Sequence, residues 1–174
     1  MSVAIHARAA KSSNRLAPAR GMTPAEISLT AAQKRLIRES FLRLDPALDL
    51  VGQLFFHKLF RLDPGLRDRF GSDPQTQSRK FMAAMKLTVI SLKHDDGLAP
   101  TLTLLGVRHR MMGIKVRDYR ATTRAWLWTL ERSLEKSFTG KTKDAWTTLL
   151  TQITRILSGS DAALLRSVGG TASV

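Results

Sequence analysis

Apolar residues in this chain recur at intervals of three and four, and no stretch alternates in the manner of a half-buried strand. Leu36, Ile37, Phe41 and Leu44 form the first such run, and Thr30 with Gln33 ahead of it has capping-box spacing, so a helix is predicted to begin there. Asp45-Pro46 supplies a cap and a first-turn proline for a second helix, whose stripe is Val51, Leu54, Phe55, Leu59 and Leu62. That helix stops before Asp63-Pro64-Gly65. A short turn or one-turn helix is expected from Leu66 to Phe70, and Gly71-Ser72-Asp73-Pro74 repeats the stop-and-cap signal.

The third long helix carries Met82, Met85, Val89 and Leu92 on one face, with Gln77 and Phe81 on a neighbouring one, and ends at His94-Asp95-Asp96-Gly97. A shorter segment, Leu98 to Met112, has Pro100 near its start and finishes at Gly113. Asp118 is read as the cap of the next helix, where Tyr119, Thr122, Trp126 and Leu130 share a face beside Leu127, Leu134 and Phe138, and Gly140 is expected to close it. The last helix shows Trp146, Leu149, Leu150, Ile153, Ile156 and Leu157, ending at Ser158-Gly159-Ser160. The pattern therefore predicts an all-α chain of six unequal helices with short connections and neither repeat nor heptad. Such helices pack crossed around a central pocket more readily than as a uniform bundle.

Size narrows this to one domain: residues 29–160 as the folded body, 1–28 as a basic extension and 161–174 as a flexible tail. Arg8, Lys11, Arg15 and Arg20 against Glu26, amid Ala and Ser, have the composition both of an organelle transit peptide and of a disordered basic extension. With no cysteine, the chain has neither disulfides nor a thiolate ligand or nucleophile, which fits a reducing, cytoplasmic interior. No run has the length of a membrane helix, so no membrane insertion is expected. A net charge of +14 raises the question of nucleic acid, but the most compact basic group, Arg108, Arg110, Lys115, Arg117, Arg120 and Arg124, is interrupted by apolar residues. It accompanies no DNA- or RNA-binding signature, so an acidic protein partner or a solvated face fits better than specific nucleic-acid binding.

The stretch from Leu104 to Tyr119 holds the most informative chemistry. It ends an apolar helical segment with His109, breaks at Gly113, and starts a helix whose first aromatic is Tyr119. By spacing alone His109 is either a satisfied core histidine or a metal ligand, since neutral imidazole serves as both. The other histidines are less favourably placed. His6 lies in the extension and His94 in a polar turn, while His57 is turned about 100° from inward-facing Phe56.

Taken together, these residues resemble the globins over about residues 29–158, most closely the bacterial single-domain haemoglobins, the haem domains of flavohaemoglobins, and the neuroglobins. Leu105-Gly106-Val107-Arg108-His109 is similar to the proximal-histidine motif, and Gly113-Ile114-Lys115 to the turn that follows it. Leu127-Trp128-Thr129-Leu130-Glu131 and Asp144-Ala145-Trp146 resemble segments of the last two helices of the family. Leu54-Phe55-Phe56, Leu59-Phe60, Asp63-Pro64 and Phe70 resemble the second and third helices and the phenylalanine wedged against haem, and Gln77 to Met82 the distal helix. Two features depart from the pattern. Only six residues separate Phe70 from Gln77, and the carboxylate that joins a tyrosine on the proximal histidine in flavohaemoglobins has no nearer candidate than Asp161, although Tyr119 matches the tyrosine.

The resemblance implies a globin fold, haem b as cofactor, and His109 as the iron ligand. It implies that Gln77 donates to a bound gas, with the sixth iron position open or held by water; Lys80 or Met82 would be the suspects if that position were filled. Phe56, Phe70 and Phe81 would line the pocket, with Leu105, Ile114, Tyr119 and Trp126 beside the porphyrin and Arg108 or Lys115 near a propionate. The implied function is reversible binding of dioxygen and other diatomic gases such as NO and CO. Alternatives are nitric oxide dioxygenation with a separate, acidic reductase, a gas or redox sensor, and a haem-free structural globin. Either a monomer or a homodimer is compatible with the sequence.

Overall fold

Three helix starts are written in local capping chemistry that the computed structural model displays; it describes residues 27–70, 73–93 and 98–159. Thr30 and Gln33 form a reciprocal capping box, the Thr30 amide donating to Gln33 Oε1 at 2.9 Å and the Gln33 amide to Thr30 Oγ1 at 3.2 Å, and open α1, Ala31–Leu42. Asp73 caps α3, Pro74–Ser91, by accepting from the Gln75 and Thr76 amides, with Pro74 in the first turn where its missing N–H is harmless. Thr139 caps α6, Gly140–Ser158, and Gly159 ends it at φ 65°, a left-handed conformation that glycine takes without a Cβ clash. Between these lie α2, Leu48–Leu62, α4, Leu98–Met111, and α5, Val116–Leu134. Short 3-10 segments cover Asp45–Ala47, Pro64–Phe70 and Glu135–Ser137.

Three predicted boundaries move. Asp45-Pro46 begins a 3-10 turn instead of α2 itself, which starts at Leu48. Asp118 is not the cap of α5: the helix begins at Val116, and the Asp118 side chain, three residues beyond the capping position, reaches back to accept from the Lys115 amide at 2.8 Å. Gly140 does not close α5 but opens α6; α5 ends at Leu134 because Glu135 turns to φ 47°, and Phe138 falls in the connection. The expected stop at His94 to Gly97 lies outside the described residues, as do His6, Asp161 and nearly all of both terminal segments.

Among the described residues there is no strand, and the helices pack in crossed pairs: α2 on α5 and α3, α6 on α4, α1 and α5, and α1 on α3. The apolar stripes supply the shared core, where Ile37, Phe55, Leu59, Trp126, Leu130, Trp146 and Leu149 are all buried. Complete burial of side chains of this size stabilises by about 1.5–3 kcal/mol each before entropy is counted. Trp146 keeps its indole N–H satisfied inside that core by donating to Ser40 Oγ at 2.9 Å. Two glycines set the closest helix approaches. A Cβ on Gly52 would run into the side chains of Ser78 and Met82, which pack directly on the α2 backbone, and a Cβ on Gly106 into the backbone carbonyl of Leu157, so α4 meets α6 almost backbone to backbone. The described chain is also tied down at its start. Ile27 packs on the core, and Ser28 exchanges two hydrogen bonds with the Gln152 side chain, at 2.6 and 2.8 Å.

Candidate functional site

The Gly106 contact fixes α4 against α6, and His109 follows one turn later near the end of α4. Gly113 at φ 75° then reverses the chain, and the Ile114 amide donates to the His109 carbonyl at 3.0 Å. The reversal returns α5 towards α4, so that the hydroxyl of buried Tyr119 stands 3.2 Å from His109 Nδ1. Half-burial, through desolvation of the charged form, lowers the His109 pKa below the ordinary histidine value and favours neutral imidazole. The Tyr119 phenol is pushed up, first by burial, with Asp118 adding and Arg110 opposing, so the hydroxyl keeps its proton. With Nδ1 engaged, Nε2 is the ring nitrogen left for a ligand, which is how partners on one side of an imidazole orient the other for a metal.

Leu105, one turn before His109, and Ile114, five residues after it, are half-buried and pack on the core. Arg108 and Lys115 are exposed beside them. Among the described residues no three His, Cys, Asp or Glu side chains gather in a way that could hold a metal ion. A lone imidazole on an apolar wall is poorly suited to a bare ion, which needs several protein ligands. It fits a metal whose remaining ligands come with a planar macrocycle.

A second wall, of aromatic side chains, comes from α2, α3 and the segment before α3. Close approach at Gly52 and Ser78 sets α3 against α2, and Phe81 turns towards the aromatic face of α2. Phe81 stacks on Phe55 with ring centres 3.9 Å apart and planes 2° from parallel, and stands edge to face with Phe56 and Trp126 at 6.0 and 5.5 Å. Phe70 closes on Phe56 at 5.3 Å in the same edge-to-face manner. Phe56 and Trp126 are buried, Phe70, Gln77 and Phe81 half-buried, and Lys80 exposed. Helices α3 and α4 do not pack closely on one another; each is held by other helices. Trp126 adds one anomaly, an indole N–H that is buried without a hydrogen-bond partner. His57 is exposed, and with Phe56 it borders a separate surface cavity of about 480 Å³ that reaches Asp73 and Gln75, away from His109.

Thus His109 and Tyr119 are brought together, Leu105 and Ile114 pack on the core close to them in the chain, and Phe56, Phe70, Phe81 and Trp126 form one aromatic cluster. Sequence reasoning passed over Phe55 as a wall residue, although it lies in the α2 stripe and carries the Phe81 stack. It also missed the contact of Arg69 with Asp118, whose partners are far apart in sequence and share no motif.

Residues 53–157 match the family model for the globins. Neuroglobin-1 of Oncorhynchus mykiss is 26% identical over 144 residues, spanning 75% of this chain and 91% of that protein. A neuroglobin of Danio rerio is 27% identical over 135 residues, spanning 70% and 85%. The fold also superposes on an engineered carbene transferase from Rhodothermus marinus, provisionally assigned as a nitric oxide dioxygenase, with a TM-score of 0.68. That match is 17% identical and covers 81% of this chain and 99% of that one.

Proposed function

This chain belongs to the globin family, whose members bind diatomic gases through haem, and on that premise we propose that it holds haem b between the two walls through His109 and binds dioxygen reversibly. The single observation that carries this reading is the arrangement of His109: half-buried near the end of α4, with the Tyr119 hydroxyl at Nδ1 and its pKa lowered by desolvation. The haem supplies the gas-binding iron, and the protein supplies everything that tunes it. His109 would hold the iron through Nε2, which would leave Nδ1–H to donate to the Tyr119 oxygen and fix the tautomer and the ring plane. Phe55, Phe56, Phe70 and Phe81 keep the far side dry. Gln77 would offer an amide N–H to a polar gas, and as a poor iron ligand it would leave the gas position open or to water. Arg108 or Lys115 would pair with a haem carboxylate.

Loading the full-length chain with haem b and recording spectra through cycles of oxygen and argon tests this reading. One haem per chain, a ligand-free ferrous form without a six-coordinate low-spin spectrum, and a reversible oxygenated form are expected. A six-coordinate low-spin ferrous form would remove the proposed open site. None of the helices among the described residues is long and apolar enough to cross a membrane. The absence of cysteine supports a cytoplasmic setting for the protein, acting as monomer or homodimer.

The second reading is nitric oxide dioxygenation to nitrate with an external reductase. What favours it is the Tyr119 contact, because a hydrogen bond accepted from Nδ1–H makes the imidazole a stronger donor and suits a site that cycles its oxidation state. Between Arg108 and Arg124 lie six basic residues and one acid, the buried Asp118, so an acidic flavoprotein or ferredoxin is the complementary donor. Many turnovers of nitric oxide consumption with such a donor support the enzyme; stoichiometric reaction alone rejects it.

A further inference from the structure

Arg69 stands immediately before Phe70, and Asp118 immediately before Tyr119. Their side chains meet across 49 positions of sequence: Arg69 Nη1 donates to Asp118 Oδ2 at 2.6 Å and to the Gly113 carbonyl at 3.1 Å. The Lys115 amide donates to the same Oδ2 at 2.8 Å. The Asp118 side chain is 4% exposed and that of Arg69 30%. Asp118 Oδ1 receives no hydrogen bond, and Arg117 Nε lies 3.6 Å from it. A half-satisfied carboxylate in so dry a place is unfavourable unless its partner is held, and capping α5 does not require it, since exposed polar side chains cap helices equally well.

What the pair grips is the turn from Gly113 to Asp118, and that turn is bonded to His109 at both ends. The Ile114 amide holds the His109 carbonyl at 3.0 Å, and the Tyr119 hydroxyl holds the ring at Nδ1. On its other side Arg69 is continuous with Phe70, which packs edge to face on Phe56. One guanidinium therefore connects the segment carrying the aromatic wall to the turn that orients the imidazole.

We propose that Arg69 is a positioning residue for the iron ligand: through Asp118 and Gly113 it sets the turn that holds both the backbone and the ring of His109. The inference rests on the reading of His109 as the ligand. Its carrier is an ion pair shielded from solvent on the carboxylate side, so added salt weakens it less than it weakens exposed pairs such as Arg35 with Glu39.

The test uses the full chain as wild type, Arg69→Met and Arg69→Lys, with two measurements. Amide hydrogen exchange at Lys115 without added haem reads the bridge itself, and the iron–histidine stretching band of the ferrous, haem-loaded protein reads the ligand. Arg69→Met is expected to speed Lys115 exchange about tenfold, the scale of losing a charged partner, and to shift or split the band. Arg69→Lys brings both back towards wild type. Faster exchange with an unchanged band would reduce Arg69 to a brace of the fold and overturn the proposal, as would no change in either. If the wild type gives no iron–histidine band, the haem reading itself fails and takes this role with it, while the exchange data still report whether the bridge exists.

Discussion

At the scale of single residues, Phe56 presents hydrocarbon to the same cluster that receives Phe70 and Phe81. Gln77 is then the main hydrogen-bond donor expected at the distal wall. A hydroxyl introduced as Phe56→Tyr should slow dioxygen dissociation about tenfold or more, the scale of one hydrogen bond to a charged or strongly polarised acceptor, and Gln77→Leu should speed it comparably. Stopped-flow displacement of dioxygen checks both; rates unchanged in both variants would remove these side chains from the site. A second residue effect is independent of haem. Ser40 accepts the Trp146 indole N–H in the core, so Ser40→Ala should cost about 1–3 kcal/mol by stranding that donor, measured by urea unfolding.

At the scale of elements, the Gly106 crossing is the most sensitive point, since it places α4 on the Leu157 carbonyl and α4 carries His109. Gly106→Ala must push backbone from backbone and should destabilise by about 1–3 kcal/mol or more in thermal unfolding, with weakened haem retention as the functional trace. The cap of α3 gives a pH signature. Asp73 is held below its ordinary carboxylate value, first by its hydrogen bond with the Thr76 hydroxyl, which desolvation opposes, and then by the Gln75 and Thr76 amides and by Arg79. Its folded pKa is depressed, so its contribution is complete above the ordinary carboxylate pKa and is lost as pH falls through the folded value. Asp73→Asn keeps the cap and should flatten that part of the acid unfolding curve; an unchanged curve would assign the loss to other carboxylates.

These elements also show what a sequence makes legible. Capping boxes, proline starts and stripes of period 3.6 are local, and Thr30, Asp73 and Gly159 acted where their spacing placed them. The proximal stretch was legible for the same reason, since His109, Gly113 and Tyr119 lie within eleven consecutive residues. Boundaries set by competition among neighbours were not, and α5 starts at Val116 because Asp118 reaches back to Lys115 instead of capping the helix itself. Long-range pairings leave no local trace: neither the Phe55 stack on Phe81 nor the bridge from Arg69 to Asp118 has a pattern that one sequence exposes.

At the scale of the whole molecule, a charge of +14 makes encounter with any acidic donor dependent on ionic strength. If the face from Arg108 to Arg124 receives the donor, reduction by an acidic ferredoxin should slow several-fold between low and physiological salt. Combined reversal of Arg117, Arg120 and Arg124 to glutamate should slow it far more than equal reversal of Arg35, Lys141 and Lys143. Equal effects would show that net charge alone matters. The central claim is narrower, that one imidazole carries the cofactor, and the visible spectrum of the haem-loaded full chain tests it most directly, wild type beside His109→Ala with and without added imidazole. The account predicts a strong Soret band in the wild type, an altered and weakly held haem in the variant, and recovery with imidazole. A wild type without a Soret band, or a variant with the wild-type spectrum, would contradict it.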